Sequence, residues 1–94
     1  MEYFRVEDMV VDRIIEIASS SPANIVSFRP QKFIRRILRT KETIPGSVIS
    51  VILDKLEEKC IEKGYTLVRK KRGFGGYRVY ILKKPEKVDL EKLW

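Results

Sequence analysis

The sequence predicts one small α+β domain, three helices followed by a β-hairpin, and three observations carry that expectation. Apolar residues recur at helical spacing in three stretches before residue 63. Two runs rich in β-branched and aromatic residues, joined by a glycine cluster, come after them. The 94 residues are enough for one modest core and too few for a cofactor domain beside a substrate domain.

Helix one occupies most of the first 28 residues. Val6, Val10, Ile14 and Ile17, flanked by Met9, Val11, Ile15 and Ala18, make its apolar stripe, and Arg5, Asp8, Asp12, Glu16 and Ser19 make the polar one. Ser19-Ser20-Ser21-Pro22 stops it, because serines compete for backbone hydrogen bonds and the residue before proline avoids helical torsions. A short extended piece, Ile25-Val26-Ser27-Phe28, follows. Pro30 opens helix two, where its missing N–H would be unpaired anyway, and the helix runs to about Thr40. It carries an apolar stripe, Phe33, Ile34, Ile37 and Leu38, beside a basic one, Lys32, Arg35, Arg36 and Arg39. After the turn Thr43-Ile44-Pro45-Gly46, helix three spans about Gly46 to Lys63 and stops at Gly64. Ile49, Ile52, Leu53, Leu56 and Cys60 form its buried face, whereas Ser47, Ser50, Val51 and Asp54 face outward near its start. Tyr65 to Lys71 and Tyr77 to Lys84 are the hairpin strands, joined by Gly73-Phe74-Gly75-Gly76. Pro85 ends the second strand, leaving a tail, 85–94, in which Leu90, Leu93 and Trp94 line one side of a short helix.

Composition excludes several function classes. Apolar runs reach only four residues, far below the roughly 18–20 of a membrane span, and the acid-bearing start lacks the apolar region of a secretory signal; a cytoplasmic protein is expected. There is no His and one Cys, which removes zinc sites, internal disulfides and the His-based nucleophile arrangements. No enzyme, no cofactor and no metal are expected, and Cys60 reads as a small core residue. One Asn and one Gln among abundant Lys, Glu, Ile and Val give the composition of a thermophile.

The net charge of +7 is unevenly placed. Residues 29–41 hold six bases and no acid, and residues 69–84 hold seven bases and no acid, while the rest of the chain is net −6. Clustered cations of this kind suit a polyanion, because each neutralised phosphate releases counterions.

The order helix, short strand, helix, turn, helix and hairpin resembles the winged helix-turn-helix DNA-binding domain of small archaeal and bacterial transcription regulators. Ile44 to Lys59 is similar to that family's recognition helix, with its Ser-Val start, Leu-x-x-Leu core and Leu-Glu-Glu-Lys end. It departs from the pattern at Cys60, where the family usually has Gly, so helix three is one turn longer. The resemblance covers residues 5 to 84. It implies that helix three enters the major groove of double-stranded DNA, with Ser47, Ser50, Val51 and Asp54 at base edges. It further implies phosphate contacts from Arg29, Lys32, Arg35, Arg36, Arg39 and Lys41. In the wing, Lys70, Lys71, Arg72 and Arg78 would grip the backbone or minor groove, with Phe74 at the tip as a stacking or wedge residue. Two other readings stay open on this pattern, a structured-RNA binder of ribosomal type and a protein-interaction winged helix. The tail leaves two uses open as well, packing on helix one or burial against a second copy in a homodimer. Arg72-Gly73-Phe74-Gly75 resembles an RNA-recognition-motif strand only in part, since Gly76 replaces an aromatic and the strand order is wrong.

Overall fold

The computed structural model describes residues 2–72 and 76–83, without the side chains of 2–5, 71 and 72. The elements are α1 (Glu2–Ser20), β1 (Ile25–Phe28), α2 (Pro30–Leu38), α3 (Gly46–Glu62), β2 (Thr66–Arg72) and β3 (Gly76–Leu82). The expected α+β class with three helices is therefore present. The extended piece after helix one is more than a connector, because β1 pairs antiparallel with β3 and makes a three-stranded sheet in the order β1-β3-β2. The expectations for the wing tip, including Phe74, and for the tail from residue 84, including Leu90, Leu93 and Trp94, lie outside the described residues.

Strand alternation explains which side of the sheet meets the helices. Register places Ile81 between Val26 and Leu67, and Phe28 opposite Val79. This row joins Ile34 of α2, Val10, Val11, Ile14, Ile15 and Ala18 of α1, and Ile49, Ile52, Leu53, Leu56 and Cys60 of α3 in one core. The buried face of α3 is the expected one. That of α1 is rotated from the expected stripe: Val6 and Met9 are 42% and 51% exposed, because neighbouring pairs at 10–11 and 14–15 meet α3 instead.

Both α2 and α3 end in the same hydrogen-bond pattern. Gly64, at φ 79°, donates to the Ile61 carbonyl, and Tyr65 donates to that of Cys60 at 2.7 Å. This is a Schellman stop with glycine in the left-handed position. At the end of α2 the equivalent bonds run from Arg39 to Arg36 and from Thr40 to Arg35, but the left-handed residue is Arg39 itself, at φ 57°. Helix two thus ends at Leu38, two residues short of the expected end at Thr40. The end of α1 is closed by a side chain: the Lys83 ammonium donates to the carbonyls of Ala18, at 2.9 Å, and Ser21.

Candidate nucleic-acid interface

The site is assembled around the starts of α2 and α3. Buried Pro30 is the first residue of α2, entered from Arg29 in extended geometry. Next in the helix, Gln31 reaches across the connection: its amide nitrogen donates to the Ile44 carbonyl at 3.0 Å, and its amide oxygen accepts from the Ile44 N–H at 2.6 Å. This two-point clasp joins the first turn of α2 to the residue two before α3. Arg35 holds the other side of the same connection by donating to the Lys41 carbonyl at 2.8 Å. Pro45 then caps α3 through its carbonyl, which accepts from Val48 and Ile49.

These contacts bring together most of the expected cations. Arg29, Lys32, Arg36, Arg39 and Lys41 are exposed, and Arg35 is half-buried. Among the described residues none of them pairs with a carboxylate; the ion pairs present are Arg13–Glu16, Lys55 with Glu7 and Asp8, and Arg69 with Asp54 and Glu57. Arg29, Lys32 and Arg36 converge with Arg78 of β3 on a hollow of about 490 Å³ that Phe28 and Phe33 also line. Those two rings pack with centroids 4.8 Å apart. Arg78 is held by a 3.4 Å bond to the Ser27 hydroxyl on the neighbouring strand.

The outward side of α3 begins with exposed Ser47 and Ser50, followed by Val51 at 39% exposure. Asp54 lies on the same exposed side, but its carboxylate accepts a hydrogen bond from Arg69 of β2 at 2.8 Å, so it is turned toward the hairpin and occupied there. A second cleft, of about 530 Å³, opens between the two helix starts and the hairpin. Arg29, Pro30, Gln31, Lys32, Arg35, Gly46, Ile49, Ser50 and Tyr77 line it. Lys70 is half-buried on β2, opposite Arg78 in the register. The side chains of Lys71 and Arg72 lie outside the described residues, so the expected wing contacts are placed only for Lys70 and Arg78.

Three contributors escape the sequence reading. Gln31 is one residue in a stretch of obvious charge, and nothing local signals that its amide matches a backbone 13 residues on. Arg69 belongs to an acid-free run, yet its charge is spent on α3. Tyr77 follows the core-facing row of Val79 and Ile81 but sits beyond the core's edge, 38% exposed. No group of acids or Cys among the described residues is placed to hold a metal ion, and no described helix is long and apolar enough to cross a membrane. Comparison with protein-family models, with curated proteins and with solved structures returns no match to this chain.

Proposed function

We propose that this protein is a winged-helix-type binder of double-stranded DNA, of the kind that regulates transcription. In this reading α3 enters the major groove by its Ser47–Ser50–Val51 side, and the cations of α2, its exit turn and the hairpin hold phosphates. One observation carries the proposal: among the described residues the exposed cations of α2 and the following turn stand without acidic partners, beside a helix start that bears only small, uncharged side chains. Gathering like charges around one hollow is repulsive in the free protein, and a polyanion relieves it. Small side chains at the start of α3 allow close approach of base edges and leave sequence choice to hydroxyl and methyl contacts, so phosphates supply most of the affinity.

The test is fluorescence anisotropy with a mixed-sequence duplex across salt concentrations. With six phosphates neutralised, affinity falls by ~10³ between 50 and 200 mM salt. Arg29→Glu with Arg36→Glu abolishes measurable binding and leaves the melting temperature near that of the parent. Absence of duplex binding at 50 mM salt, or affinity indifferent to salt, refutes the proposal, and stronger binding to RNA hairpins than to the duplex assigns the face to RNA instead.

A further inference from the structure

The cleft between the two helix starts has a chemistry that a DNA backbone does not use. Its volume, about 530 Å³, falls in the range of small-molecule sites. Buried Pro30 and Ile49 supply an apolar inner wall. Tyr77 lines it from β3, 38% exposed, and among the described residues its ring pairs with no other aromatic. Arg29 and Lys32 stand at the same cleft as exposed cations. Both α2 and α3 begin here with no acid in their first turns, which adds the positive ends of two helix dipoles.

Gly46 explains why the cleft is open. It is the first residue of α3 and lines the cleft. Its φ is not in the left-handed region, and a Cβ added there meets nothing within 4 Å. Neither backbone torsion nor crowding demands glycine; the missing side chain simply leaves the space empty. The adjacent hollow on the other side of Arg29 and Lys32 has four cations around it and suits a bare phosphate. The Gly46 cleft offers an apolar wall together with cations, and that combination selects a flat hydrocarbon ring bearing an anionic group.

We propose that this cleft binds a small aromatic anion, and that its occupancy competes with duplex DNA because Arg29, Lys32 and Ser50 serve both. The competition rests on the DNA-binding reading above; binding in the cleft does not.

The probe is 1-naphthyl phosphate, followed by amide chemical shifts of the ¹⁵N-labelled full chain, with inorganic phosphate and 2-naphthol as the two half-ligands. Saturating shifts are expected at residues 29–35, 46–50 and 77, with affinity at least about tenfold above either half-ligand. Gly46→Leu fills the cleft and weakens binding at least about tenfold with its melting temperature retained; if that variant fails to fold, Tyr77→Ala, at an exposed position, makes the same comparison. Equal affinity for inorganic phosphate, shifts located elsewhere, or a folded cleft variant that binds like the parent overturns the site. A labelled duplex is then challenged with the probe: displacement at concentrations that saturate the cleft is expected, and a duplex that stays bound overturns the competition alone. Failure of the duplex to bind at all refutes the DNA reading and the competition with it, while the cleft titration still reads out independently.

Discussion

Replacing Gln31 by Ala removes the clasp between α2 and the approach to α3. Two hydrogen bonds are lost, one donated to the Ile44 carbonyl and one accepted from its N–H. At roughly 0.5–1.5 kcal/mol net per bond, and with water able to reach this half-buried position, the loss is about 1–3 kcal/mol. For a domain of this size that lowers the melting temperature by roughly 5–20 °C. Gln31→Glu separates the clasp from simple truncation. The carboxylate still accepts from the Ile44 N–H but can no longer donate to the carbonyl, so at neutral pH the variant loses one bond and sets two acceptors against each other. The cations Arg29, Lys32 and Arg35 around it and the positive end of α2 favour the carboxylate form, so the Glu variant stays ionised and loses the donated bond alone. Calorimetric melting of the three proteins at pH 7 checks this, and an Ala variant melting within about 1 °C of the parent refutes the assignment of the clasp.

Three further outcomes are expected. Arg39→Gly relieves the left-handed strain of a side-chain-bearing residue, raising stability by about 1 kcal/mol in urea unfolding, while duplex affinity falls as one cation is lost; a variant destabilised by glycine contradicts the strain at φ 57°. Arg69→Ala costs under ~1 kcal/mol of stability, as a part-exposed ion pair should, yet weakens duplex binding several-fold by releasing the Asp54 and Glu57 carboxylates; adding Asp54→Asn and Glu57→Gln restores it, and a lack of restoration means that Arg69 contacts DNA itself. The Cys60 thiol is pushed up to about 11 by burial and, second, by Glu57. The folded state therefore keeps a proton that the unfolded chain releases near pH 9, so the contribution to stability is full below that and declines by about 2–3 kcal/mol toward pH 11. Cys60→Ala, unfolded in urea at pH 8 and pH 11, shows a correspondingly smaller decline than the parent, and identical declines refute the shift.

Periodicity made the elements legible where one pattern had one solution. The α3 stripe of Ile49, Ile52, Leu53, Leu56 and Cys60 is read without error because a long helix packed on both α1 and β2 has its apolar face settled by 3.6-residue spacing alone. On α1 the apolar residues spread over more than half the circumference, so spacing admitted two stripes, and the partner helix chose the one through Val11 and Ile15. The Ile25–Phe28 strand is four residues long and owes its identity to pairing with β3, information held 50 residues away. The cations of α2 were legible as a stripe, whereas the capture of Asp54 by Arg69 and the clasp of Gln31 depend on folding distances that no local spacing encodes. The cleft was invisible for the same reason, being the space left between three elements by a glycine.

The two ends of α3 live in opposite fields. Its start lies among the cations of α2, while Glu58 and Glu62 near its end join Asp8 and Asp12 along a groove beside α1 that stays net acidic although Lys55 and Lys59 also line it. From Ser50 to Glu62 a helix rises about 18 Å at ~1.5 Å per residue, more than twice the roughly 8 Å screening length of physiological salt. On the DNA-binding reading, the acids at that ionic strength do not dilute the attraction of the basic end for a nearby duplex. At lower ionic strength both ends are felt, and the molecule behaves as an electric dipole that a polyanion turns before contact. On the same reading, collision from the wrong side is thereby converted into a productive approach, and acids that would contribute nothing to the bound state would shorten the search for it.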